Sequence, residues 1–196
     1  MKKIAIICVM ALLCLDFCAK AQEIKPLKVG SKLPNNFWQQ EHMIFQNGRY
    51  VKQSLLPYKD GLLILDYWAT WCASCIVKFP ELEALQAAGL EGLKILLVNP
   101  SSYKDSPAKI EDLFAAKTLP YRNYTLPTVV SDTSLIKLFA PNVLPQNIWI
   151  IDGEVRAITS AEFTNAAAIK TVIDNSKRLA AIRAARKAKI ANQPKN

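Results

Sequence analysis

Two largely apolar runs, Leu62 to Trp68 and Leu93 to Asn99, flank a stretch in which apolar residues recur at helical spacing. Runs of that length with almost no polar alternation predict strands buried on both faces. Between them Ile76, Val77, Phe79, Leu82, Leu85 and Ala88 predict a helix from Ala73 to Leu90, with Pro80 expected to kink it and Gly89 and Gly92 to end it. Strand, helix and strand in that order predict a right-handed crossover joining a parallel pair.

The remaining pattern adds shorter elements. Asn47-Gly48 between two apolar stretches predicts an N-terminal hairpin, and Asp152-Gly153 inside "NIWIIDGEVRAI" predicts another. Ser106-Pro107 opens a short helix over residues 107 to 117, placed as an insertion between core elements. "LPTVVSD" reads as a strand and "DTSLIKLFA" as a helix capped by Asp132 or Thr133. A last helix begins near Thr164 with Ile169, Val172, Ile173, Leu179 and Ile182 on one face. The class is α/β, and 196 residues, 51% of them hydrophobic, suffice for one domain with a full core.

The two ends change this picture. Lys2 and Lys3 precede an apolar run from Ile4 to Leu15, and Ala19-Lys20-Ala21 offers the small residues a signal peptidase needs, so residues 1–21 are expected to be a signal peptide cleaved after Ala21. Residues 22–29 then form a linker, 30–174 the folded domain and 175–196 a basic helix end and tail. Lipidation is disfavoured, because Cys18 follows Phe17 and Cys14 follows Leu13. Cleavage would remove Cys8, Cys14 and Cys18, leaving Cys72 and Cys75 as the only thiols, which fits an exported, periplasmic protein carrying one dithiol.

The formal net charge of +9 is equally uneven. From Gln22 to Asp174 there are fifteen basic and fifteen acidic residues, whereas Asn175 onward holds seven basic side chains and no acidic one. No nucleic-acid face is expected from that distribution. The basic end is either a solvated helix terminus or a weak contact with an anionic membrane surface.

The chemistry concentrates in "DYWATWCASCIVKFPEL", where Cys72 falls at the junction of strand exit and helix start. A thiolate is the nucleophile in disulfide exchange, and the unpaired N–H groups and positive dipole of a helix start stabilise it. A free thiol titrates at about 8.5 and such pairs fall to about 3.5–7.5. Cys72 is therefore the expected attacking thiol and Cys75, one turn further in, the resolving one. Trp71 offers a flat apolar platform for a partner chain, beside the ordinary packing role open to it and to Trp68. A structural zinc site would need four ligands, and the mature chain adds only His42, distant in sequence, to the two cysteines; no metal or cofactor is expected. A purely structural disulfide would close too small a loop to stabilise much.

"ILDYWATWCASC", followed by a helix with an early proline, resembles the thioredoxin superfamily, and the preceding hairpin and helical insertion resemble its exported TlpA/ResA-type branch. The resemblance runs from about Gly30 to Asp174. It implies a thioredoxin-like fold with a central mixed β-sheet flanked by helices, and protein-disulfide oxidoreductase activity toward client proteins with disulfides, the dithiol being recharged by a membrane thiol electron donor. A monomer is expected. The resemblance also nominates Pro145 in "NVLPQNIWIID" as a cis-proline opposite the dithiol, with Leu144 before it at the edge that pairs with the client; the alternative is an ordinary trans proline. Asp66 matches a buried carboxylate that relays the proton of Cys75, against the alternative of a solvated strand-end aspartate.

Two positions depart from the family pattern. Ala73-Ser74 replaces the common Gly-Pro, which leaves the redox direction open, and Gln146 stands where some relatives carry a glutamate. Two rival functions remain at this level. A peroxiredoxin-type peroxidase would need a proline and a threonine at set positions that "DYWATWC" lacks, and a binding module would use the same fold with a permanently oxidised disulfide.

Overall fold

The computed structural model describes residues 25–90, 92–115 and 123–191. The expected signal peptide, its cleavage site, the first residues of the linker, the last residues of the 107–117 helix and the final five residues lie outside them.

Seven strands form one mixed sheet: β1 (Glu41–Gln46), β2 (Arg49–Ser54), β3 (Leu62–Tyr67), β4 (Leu93–Pro100), β5 (Thr128–Asp132), β6 (Gln146–Ile151) and β7 (Glu154–Ser160), in the order β2-β1-β5-β4-β3-β6-β7. The two continuous apolar runs became β3 and β4, paired in parallel as the crossover requires. Every residue of β3 is buried, because helices cover both faces of the sheet. Asn47 and Gly48 turn the first hairpin at φ 52° and 73°, and Asp152 and Gly153 the last at 52° and 69°. Positive φ at both central residues matches the twist of the flanking strands.

The helices are α1 (Ala73–Ala87), α2 (Pro107–Phe114), α3 (Leu135–Phe139) and α4 (Ala166–Ala191). On one face α1, α2 and the start of α4 bury Ile76, Phe79, Leu82, Ile110, Phe114 and Ile169 against Leu62, Ile64, Trp68 and Trp149. On the other, α3 and the 3-10 turn at Phe37–Gln39 cover Leu63, Leu65, Tyr67, Ile148 and Ile150. Helix α1 runs through Pro80 without a break and ends before Gly89, shorter than the helix to Leu90 read from the sequence.

The C-terminal end of the apolar pattern needed correction. Helix α4 starts at Ala166, two residues later than Thr164, because the Asn165 side chain accepts from Ala168 N–H and so supplies the cap. Ser176 is its last buried residue; Leu179 and Ile182, placed on the core face by periodicity, are 43% exposed because the helix continues past Asp174 beyond the body it rests on. The N-terminal hairpin expected at Asn47-Gly48 joins the central sheet, since β1 pairs antiparallel with β5.

Candidate active site

Strand β3 ends at Tyr67 and the chain turns through Ala69–Cys72, where Cys72 N–H donates to the Ala69 carbonyl at 3.0 Å. Cys72 is the N-cap of α1 and is joined to Cys75 in a disulfide with Cα atoms 5.3 Å apart. Its sulfur accepts from Cys75 N–H at 3.3 Å and lies 3.5 Å from the Ser74 hydroxyl. A sulfur capping a helix sits where N–H donors and the dipole favour negative charge, so reduction would leave a stabilised thiolate at Cys72. Ser74, half of the departure from Gly-Pro, adds one more donor to that sulfur.

A groove of about 510 Å³ opens beside the disulfide, lined by Trp71, Cys72, Tyr103, Asn142, Val143 and Leu144 among others. Cys72 lines it and Cys75, 1% exposed, does not. The wall opposite the helix is the loop before β6, in which the Leu144–Pro145 peptide is cis. Gln146 Oε1 accepts from Asn142 N–H at 3.2 Å and holds that loop closed on itself. The two tryptophans divide the roles left open between them. Trp68 is fully buried with its indole N–H donating to Thr128 Oγ1 at 2.9 Å, so it is core. Trp71 is 63% exposed, stands edge-on to Tyr103 at 5.9 Å and donates to the Tyr103 carbonyl at 3.4 Å.

Asp66 lies on β3 on the face that α1 covers, in line with Ile64 and Trp68. It is 1% exposed, and neither carboxylate oxygen has a hydrogen-bond partner. Burial alone pushes its pKa up to about 8. Its neighbour across the ladder is Asn147, also buried, whose amide donates to the Thr164 hydroxyl. The solvated alternative for Asp66 is thereby excluded. A carboxyl poised near neutrality on the sheet face that carries the dithiol has the capacity to accept a thiol proton.

Two features escaped sequence reasoning. Asp105 accepts from Thr70 N–H at 2.8 Å, from the Thr70 hydroxyl, and from the Asn99 amide at 2.7 Å, tying the β4–α2 connection to the turn before Cys72. On the opposite face of the sheet, His42 Nδ1 lies 3.8 Å from Asp132, and burial lowers the His42 pKa more than that carboxylate raises it. No sequence signal pointed to either, because each depends on pairings between distant segments. Among the described residues no group of three or more His, Cys, Asp and Glu is arranged to hold a metal ion.

A mixed sheet whose central strand runs into a Trp-Cys-x-x-Cys disulfide at a helix start, faced by a cis-proline loop, is a thioredoxin-like fold. No family model matches it. The thioredoxin of Listeria monocytogenes is 38% identical over 48 residues, which are 24% of this chain and 47% of that protein, so the match spans less than half of the curated relative. Among solved structures, the thioredoxin domain of a thiol-disulfide oxidoreductase from Bacteroides vulgatus superposes with a TM-score of 0.54 at 16% identity, over 74% of this chain and 99% of that one. The exposed lipoprotein thioredoxin of Streptococcus pneumoniae gives a TM-score of 0.54 at 20% identity, over 69% and 99%.

Proposed function

We propose that this chain is a thiol-disulfide oxidoreductase working as a reductase on exported proteins that carry disulfides. The observation that carries the reading is the groove that opens onto Cys72 while Cys75 stays buried behind it. In the reduced protein the Cys72 thiolate attacks a client disulfide lying in that groove, and one client sulfur leaves as a thiolate. Cys75 then gives its proton to ionised Asp66 and attacks Cys72 Sγ, which releases the second client thiolate and regenerates the Cys72–Cys75 disulfide. Two electrons pass to the client, and a membrane thiol electron donor restores them by the reverse exchange. Trp71 and Leu144 supply the apolar walls against which the client segment lies, and the Pro145 loop supplies the backbone edge. The expected signal segment and the similarity to an exposed lipoprotein thioredoxin both support a location outside the cytoplasm.

Purified protein without residues 1–21 should accelerate insulin reduction by dithiothreitol, and Cys72→Ser should abolish the acceleration. A wild type no faster than the variant would sink the reading.

The basic end of α4 supports a second, weaker contact, with anionic lipid near the donor. Arg178, Arg183, Arg186, Lys187 and Lys189 are exposed on a continuous helix with no acidic residue after Asp174. Each basic side chain near an anionic surface contributes about 1 kcal/mol. Binding to vesicles with phosphatidylserine should weaken when residues 183–196 are deleted and when salt is raised; vesicle binding that ignores the deletion removes the proposal.

A further inference from the structure

The connection from β4 to α2 fastens the active-site turn at three successive points. Asn99, 1% exposed, donates its amide to the Trp68 carbonyl at 3.3 Å and to Asp105 Oδ2 at 2.7 Å. Asp105 in turn holds Thr70 through both its N–H and its hydroxyl. Tyr103, between them, carries the Trp71 ring and accepts its indole N–H. Thr70 and Trp71 are the central residues of the turn closed by Cys72 N–H on the Ala69 carbonyl.

Asp105 stands just before a helix, where an acidic residue would ordinarily serve as a cap. It does not do so here. Ser106 is the N-cap of α2 and accepts from Lys109 N–H at 3.3 Å, which leaves both Asp105 oxygens for the turn. A carboxylate accepting three hydrogen bonds, two from Thr70 and one from Asn99, is a rigid fixture, since hydrogen bonds to charged groups are the strong ones.

We propose that Asp105 is a positioning residue that sets the Trp71 wall of the groove, and that it acts on the docking of protein clients and not on the reactivity of Cys72. The division follows from what each group touches. The Cys72 sulfur takes its hydrogen bonds from Cys75 N–H and Ser74, both on α1, whereas Trp71 is held, among the described residues, through the turn and Tyr103. A small disulfide needs the sulfur alone, and a protein client also needs the wall.

This proposal rests on the exchange reading above, so its test includes a measurement independent of activity. In the full chain without residues 1–21, Asp105→Ala should raise the KM for insulin about tenfold with kcat nearly unchanged, the equivalent of one charge-assisted hydrogen bond. Oxidation of the reduced protein by glutathione disulfide should keep its rate within about twofold, because no wall is used there. The Trp71 indole N–H resonance should shift and broaden while those of Trp68 and Trp149 stay in place. Thr70→Val, which removes only the hydroxyl bond, should show a smaller change of the same kind and covers the case in which Asp105→Ala does not fold. Equal slowing toward both disulfides, or an unmoved Trp71 resonance with an unmoved KM, overturns the proposal. A wild type that exchanges neither disulfide, with the Trp71 resonance still responding to Asp105→Ala, sinks the exchange reading and leaves the clamp in place.

Discussion

Asp66 and Asp132 are both buried aspartates at strand ends of one sheet, 1% and 4% exposed, yet the fold treats them in opposite ways. Asp132 accepts from Ser134 N–H and hydroxyl, each at 3.1 Å, from Leu135 N–H at 3.0 Å and from Ile136 N–H at 2.7 Å. Its charge is repaid by the orphan donors at the start of α3, so it stabilises the fold. Asp66 accepts nothing, and its carboxyl is pushed up to about 8 by burial alone. A buried acid without donors costs stability, and a protein keeps one where its protonation is used. The contrast separates a carboxylate that builds the scaffold from one left unpaired on the face of the sheet that carries the dithiol, where the proposed exchange would use it.

Asp66→Asn should break that contrast with the largest effect. The amide keeps the shape and removes the titration, so the resolving step should slow about a hundredfold in stopped-flow exchange with a protein disulfide. Wild-type rates should rise with pH through about 8, as Asp66 ionises and becomes able to take the Cys75 proton; in the variant that inflection should be absent. Stability should move the other way. The folded value near 8 lies above the unfolded value of 3.8, so the group's favourable contribution is whole below about pH 4 and is lost as pH rises to about 8. The oxidised wild type should lose stability across that window, and urea denaturation at pH 5, 7 and 9 should show Asp66→Asn gaining on it steadily. A variant both slower and less stable would mean that Asp66 is scaffold after all.

The same contrast marks what was legible in the chain. Asp66 stood out because a lone acid inside "LLILDYW" breaks an apolar run, and the dithiol stood out because strand exit, Trp-Cys-x-x-Cys and helix lie within one short stretch. Local signals of this kind survive without tertiary context, as do the two hairpin turns with their positive-φ residues. The partners of Asp132 were half legible: a cap was expected from it or from Thr133, whereas the N-cap position fell to Ser134, and Asp132 reaches the first N–H groups of α3 from two residues before it. Ser131 just before it sits at φ 53°, and the β4–β5 register shifts between Val98 and Pro100, an irregularity that spacing alone does not encode. His42 beside Asp132 and Asp105 beside Thr70 were illegible, since each meeting joins segments 90 and 35 residues apart, brought together only by the sheet. Leu179 and Ile182 show the converse error. Periodicity continued along α4, but the body it would pack on ended at Ser176.

Asp132→Ala should sharpen the comparison with the smaller and opposite effect. The substitution strips the acceptor from three backbone N–H groups at the start of α3, of which Leu135 is fully buried. Loss of a cap of this kind costs about 1–2 kcal/mol, and the buried donors left behind place it at the upper end. It also takes from His42 the only carboxylate that raises its pKa, so burial should then lower the imidazole value further, a change that an NMR titration of the sole histidine reads directly. The disulfide lies on the other face of the sheet, across β3, and no hydrogen bond runs from Asp132 to the turn or to α1. Exchange rates should therefore stay within about twofold of wild type at temperatures where both proteins are folded, since couplings between sites without shared partners are small. A slowing comparable to that of Asp66→Asn would show that the two faces of the sheet are coupled through Tyr67, the buried β3 residue whose hydroxyl pKa is raised first by burial and then by the charge of Asp132.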